Sequence, residues 1–85
     1  MIENKVLVTV NVPLLENSFD LYLPVNRRVY SVIDMIKQIL FNLSQGSFDV
    51  QTNCMLYDAN SGSMYDINSL IRDTDIRNGS IIILI

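Results

Sequence analysis

An 85-residue chain with 49% hydrophobic residues and a formal net charge of −3 has room for one domain, residues 1–85, and no second. Six basic residues against nine acidic ones offer no patch to neutralise phosphates, so no nucleic-acid partner is expected. With no His and one Cys, Cys54, the chain cannot assemble a Ser-His or Cys-His nucleophile pair, an internal disulfide or a multi-thiolate metal site; a non-enzymatic domain with no metal and no cofactor is expected.

Ile, Leu and Val make up 29 of the 85 residues, too apolar for a disordered tail. Lys5 to Val12 alternates, with Val6, Val8, Val10 and Val12 on one face and Leu7, Thr9 and Asn11 on the other, which predicts a half-buried strand. A short link, Pro13 to Asn17, leads to a second strand over Ser18 to Leu23, with Phe19, Leu21 and Leu23 inward and Asp20 and Tyr22 outward. Pro24 ends it. The long helical pattern follows at Arg28 to Leu43, where Val29, Val32, Ile33, Ile36, Ile39, Leu40 and Leu43 repeat at i, i+3, i+4, i+7. Asn26 is the expected N-cap, and Arg27 and Arg28 lie where the helix dipole disfavours cations.

Beyond an irregular stretch, Ser47 to Thr52, a third strand is expected over Asn53 to Asp58, then a turn over Ala59 to Ser63 and a short fourth strand at Met64 to Asp66. Ser69 to Asp73 reads as a helical turn, and Arg77-Asn78-Gly79 as a second turn. Ser80 to Ile85 carries five consecutive aliphatics, the signature of a central strand. No apolar stretch approaches the ~20 residues that cross a bilayer, and no signal peptide is visible, so a cytoplasmic protein without membrane insertion is expected. The order β-β-α-β-β-β, with the last strand central, predicts an α+β, β-grasp fold: a mixed sheet of four to five strands on one main helix. A right-handed crossover through the helix is expected to set the third strand parallel to the first.

Phe19-Asp20-Leu21-Tyr22-Leu23-Pro24 with the helix behind it resembles the second strand and helix of ubiquitin-like domains. The ending, Leu70 then Asp75-Ile76-Arg77-Asn78-Gly79-Ser80-Ile81-Ile82-Ile83-Leu84, is similar to the closing turn and last strand of that superfamily. Together the two runs resemble most closely the bacterial YukD/EsaB group, over residues 5–85. The resemblance implies a small, cytosolic, non-enzymatic protein that supports or regulates the type VII (WXG100, ESX-like) secretion machinery, with protein partners among its membrane-associated subunits. The rival, a ubiquitin-like carrier or modifier, needs a C-terminal Gly-Gly; this sequence ends Ile83-Leu84-Ile85, which disfavours it unless the chain continues.

Two surfaces are candidates for protein binding. On the sheet's outer face, alternation with Val6, Val8 and Val10 inward puts Leu7 outward. Taking Ile81, Ile83 and Ile85 as inward leaves Ile82 and Leu84 outward, joined by Met55 and Tyr57, or alternatively by Cys54 and Leu56. The bland alternative is a central strand covered by its neighbours. On the helix, Tyr30, Asp34, Lys37 and Phe41 form a stripe opposite the core, two aromatics among polar residues; the alternative is that the rings pack on Ser47 to Thr52. Arg27 and Arg28 read as a solvated helix start. Asp58 to Gly62 opens like a calcium loop, but Gly62 comes one position early and Ser69 stands where a bidentate Glu is needed. The open apolar face also suits a homodimer.

Overall fold

The valines at 6, 8, 10 and 12 set the first strand. The computed structural model, which describes residues 4–85, forms β1 over Lys5–Val12 and β2 over Asn17–Pro24, antiparallel, with Val6 opposite Leu23 and Val10 opposite Phe19. A 3-10 turn, Pro13–Leu15, joins them; Glu16 closes it in the left-handed region (φ 51°) and donates its N–H to the Pro13 carbonyl. Val8, Val10, Val12 and Leu23 are buried, as the alternation requires, while Phe19 and Leu21 are only half-buried.

The helix α1 spans Val29–Leu43 and buries Val29, Val32, Ile33, Ile36 and Leu40. Ile39 is half-buried and Leu43 is exposed, so the apolar stripe narrows toward its end. The N-cap is Arg28, not Asn26, and no side chain caps it. Instead the N–H groups of Val29 and Tyr30 donate to the carbonyls of Ser69 and Ile67 at 2.9 and 3.0 Å, and the Arg28 guanidinium donates to the Asn68 carbonyl. Backbone from far along the chain supplies the acceptors that helix starts need, and it accommodates a cation at the positive end of the helix. At the other end Gly46 N–H reaches the Phe41 carbonyl (2.9 Å) and Gln45 N–H that of Asn42 (3.3 Å), a Schellman closure with Gln45 left-handed at φ 55°.

β3 is Leu56–Asp58, shorter than the expected strand, and β4 is Ile81–Leu84. The sheet order is β2-β1-β4-β3, with the aliphatic β4 central as its composition predicts. β4 runs parallel to β1 and antiparallel to β3. The third strand is therefore opposed to the first. The helix crosses over from β2, which already opposes β1, so the parallel partner it produces is to β2. Met64 to Asp66 forms no strand but one bridge, Tyr57 to Met64, giving four strands. The helical turn is Ile71–Asp73, within the expected Ser69 to Asp73. The 47–52 stretch is irregular, yet it sends Phe48 into the core, where Ile71 and Ile76 close the end of the cluster formed by sheet and helix.

Candidate functional site

Paired residues on neighbouring strands present side chains to the same face. Val10 lies beside Ile82 and Thr9 beside Ile81, so β4 takes its phase from β1. Ile82 and Leu84 are in the core, 0% and 1% exposed; Ile81 and Ile85 face out, at 42% and 61%, with Ile83 half-exposed between them. This reverses the expectation that Ile82 and Leu84 would lie on the outer face. A strand aliphatic at every position carries no polar residue to mark its wet side, so nothing within it reports the phase.

The other members of the sheet-face candidate keep their places. Leu7 is outward, 39% exposed, opposite Tyr22, itself largely exposed. Tyr57 pairs with the outward Ile83, and Met55 exchanges backbone hydrogen bonds with Ile85 at 2.7 and 3.1 Å, which puts Met55 and Tyr57 on the open face. The alternative pair fails because Leu56 is fully buried. The outer face is thus apolar over β4 and β3, through Ile81, Ile83, Ile85, Tyr57 and Met55. Over the middle of β1 and β2 it is polar, because the Thr9 hydroxyl donates to Asp20 (2.8 Å) and the Ser18 hydroxyl to Asn11. Leu7 and Tyr22 add a second apolar spot. A shallow depression of about 370 Å³ lies beside them, bordered by Lys5, Asn78 and Gly79. The turn that seats β4 is also here: Asn78 Oδ1 accepts the Leu7 N–H and Gly79 (φ 88°) donates to the Leu7 carbonyl, both at 2.8 Å.

The helix-face candidate is weaker. Tyr30 is half-exposed and free of the core. Lys37 is not available as a docking cation, since its Nζ donates to the Thr52 carbonyl at 2.8 Å and so ties down the loop after the helix. Phe41, 40% exposed, borders Gly46, 3.8 Å from where a Cβ on that glycine would stand. Its ring meets the helix-ending turn, just before the 47–52 loop.

No group among the described residues could hold a metal ion. Asp58 serves a turn: its carboxylate accepts from the Asn60 N–H and the Ser61 hydroxyl, and Gly62 (φ 73°) returns a bond to its carbonyl. Burial pushes the Cys54 thiol above its ordinary range, partly offset by the Lys37 ammonium. Such a thiol is a packing group and a poor nucleophile. Burial also raises the Tyr65 phenol, assisted by its 2.8 Å hydrogen bond to Asp75.

No family model and no curated protein matches the chain. Solved structures do. A ubiquitin-like domain from an Arabidopsis thaliana protein is 24% identical, over 99% of this chain and 79% of that one, with a TM-score of 0.70. The ubiquitin-like domain of the Mycobacterium tuberculosis type VII secretion protein EccD1 is 20% identical, over 95% and 97%, with a TM-score of 0.73. A chain of the MycP5-free ESX-5 inner membrane complex is 14% identical, over 95% of this chain but 20% of that one, at 0.69. At these identities the likeness concerns the backbone. A four-stranded mixed sheet with the last strand central, grasping one helix, is the ubiquitin-like fold, and that is the fold of this chain.

Proposed function

We propose that this chain is a non-enzymatic protein-interaction module of a type VII secretion system, working on the cytoplasmic side as an accessory or regulatory factor of the YukD/EsaB kind. The observation that carries the interaction reading is the outer sheet face, where the exposed Ile81 and Ile85 and the partly exposed Ile83, Met55 and Tyr57 form one apolar surface. Contiguous apolar surface of that kind marks partner sites, and its burial supplies about 25 cal/mol per Å², less the cost of association. The secretion reading draws support from the EccD1 domain and the ESX-5 complex chain, which share the backbone. No helix among the described residues is long and apolar enough to cross a membrane, so membrane-bound partners would be met through their exposed domains.

Ile83→Asp tests both parts. It charges the centre of the face at a half-exposed position, and the cooperative melt is expected to survive. Tagged wild-type protein is expected to retain type VII membrane subunits from detergent-solubilised cells of its source, identified by mass spectrometry, and the variant to lose them. Equal retention by the variant would move the docking site elsewhere. Recovery of no secretion subunit would remove the secretion reading. The same face suits a second copy of the chain, read by light scattering as a mass that doubles with concentration and stays monomeric in Ile83→Asp.

A further inference from the structure

The turn that seats β4 carries a chemical liability that the fold holds in check. Of the nine asparagines, Asn78 alone is followed by glycine. Gly79 stands at φ 88°, a left-handed conformation that suits glycine, and Asn78 supplies the side-chain carbonyl that accepts the Leu7 N–H at 2.8 Å. The turn therefore calls for both residue types where they stand. Together they make the pair in which a backbone nitrogen attacks an asparagine side chain most readily, because glycine has no Cβ to shield its own amide. Both residues are exposed, so water reaches them.

The reaction needs only water. Loss of the Gly79 N–H proton to hydroxide lets the nitrogen bond to Asn78 Cγ; the Cγ–Nδ2 bond breaks, and Nδ2 takes up a proton and leaves as ammonia. Water then opens the cyclic imide at Cγ, giving Asp, or at the Asn78 backbone carbonyl, giving isoaspartate, whose main chain runs through Cβ and Cγ and is one carbon longer. One water replaces one ammonia, and nothing is oxidised or reduced. In the fold two bonds oppose the first step. The Gly79 N–H that must be lost donates to the Leu7 carbonyl at 2.8 Å, and a carbonyl is no base to receive the proton. Asn78 Oδ1 is held on the Leu7 N–H, so swinging Cγ onto the Gly79 nitrogen breaks that bond as well. The Leu7 N–H also polarises the Asn78 carbonyl, which favours attack, but one neutral donor is small beside two bonds that have to open. Behind them the Arg77 N–H donates to Ser80 Oγ (2.8 Å) and the Ser80 N–H to the Arg77 carbonyl (3.0 Å), which closes the turn.

We propose that Asn78 is a self-modification site gated by the β1–β4 pairing: the closed strand end keeps the asparagine intact, and each opening of that end exposes it to conversion to Asp or isoaspartate. The two products differ in outcome. The Asp product keeps an acceptor at the same reach, with its negative charge on the depression that Lys5 borders, and re-forms the clamp on Leu7. The isoaspartyl product, with its longer main chain, cannot present an acceptor and the Gly79 N–H to Leu7 together, so the end of the ladder stays open. Modification thus turns a transient opening into a permanent one. The inference does not rest on the docking proposed for the Ile81–Ile85 face and stands or falls independently.

The test follows loss of Asn78 by mass spectrometry of the digested protein, with isoaspartate counted by methyl transfer from labelled S-adenosylmethionine through an isoaspartyl methyltransferase. At one mildly alkaline pH, Asn78 is expected to convert faster than any other asparagine in urea, and roughly tenfold or more slowly in the folded protein, the scale of two hydrogen bonds that must open together. Gly79→Ala is expected to slow conversion in urea, which identifies the attacking nitrogen. Ile82→Ala loosens β4 from its buried side without touching the pair, and Ser80→Ala removes the side-chain bond that closes the turn. In each, the folded rate is expected to move toward that variant's own rate in urea. Asn78→Asp is expected to leave the Leu7 amide protected from deuterium exchange, and the isoaspartyl protein, separated by ion exchange, to lose that protection. Conversion in the fold as fast as in urea, folded rates unmoved in both variants, or an isoaspartyl protein with Leu7 still protected would overturn the proposal.

Discussion

Gln45 holds a backbone conformation that suits glycine, at the position where Schellman closures most often have one. A left-handed non-glycine residue costs about 1–2 kcal/mol, of which the greater freedom of glycine in the unfolded chain takes back about 0.5–1. Gln45→Gly is therefore expected to stabilise the protein by roughly 0.5 kcal/mol, read as a higher urea midpoint at unchanged slope. Gly46→Ala should do the opposite: the added methyl finds ordinary room beside Phe41, but φ 87° strains it. Tyr65 provides a pH signature. Its phenol is held protonated in the fold above its usual range. Above pH ~10 the unfolded chain releases that proton while the folded one keeps it, so stability is complete below pH ~10 and declines as pH rises. Denaturation midpoints across that range are expected to fall more steeply for the native protein than for Tyr65→Phe. Neither Tyr65 nor its partner Asp75 announces the pair in sequence, since two turns bring them together.

Among the elements, β1 and α1 were legible because each mixes apolar and polar residues at its own period, and the polar ones mark the wet side. β4 was legible as a strand and as the central one, but not in phase, because all of its residues are aliphatic. That is why Ile82 and Leu84 fall in the core while Ile81, Ile83 and Ile85 form the candidate face. The reversal is measurable. Ile82→Ala removes methylenes from a fully buried site and is expected to cost about 2–5 kcal/mol in chemical denaturation, with Ile83→Ala costing well under half as much. The N-cap is Arg28 and not the expected Asn26 for a different reason. An N-cap search looks for a nearby side-chain acceptor, whereas here the acceptors are the carbonyls of Ile67 and Ser69, which the fold delivers. The Lys37 bond to Thr52 was likewise out of reach of a periodicity argument, which sees only that Lys37 lies on the outer stripe of the helix.

For the molecule as a whole, the order of elements and the aliphatic terminal strand were enough to give the topology, since few arrangements bury a last strand between the first and third. The direction expected for the third strand, parallel to the first, is reversed in the structure, because the crossover rule applies to the strand that enters the helix, β2, and β2 is already reversed relative to β1. The parallel neighbours at the centre have a mechanical consequence. β1 starts at Lys5 and β4 finishes at Leu84, and parallel pairing puts those two points at opposite ends of the shared ladder. Tension applied through them slides one strand along the other and strains every bond between them at once. Tension between Lys5 and Pro24, which face each other across the antiparallel β1–β2 pair, opens its bonds one after another. Single-molecule pulling is expected to require a distinctly larger rupture force along the first axis than along the second. A protein attached at the one pair of points would carry load before yielding, and at the other would peel.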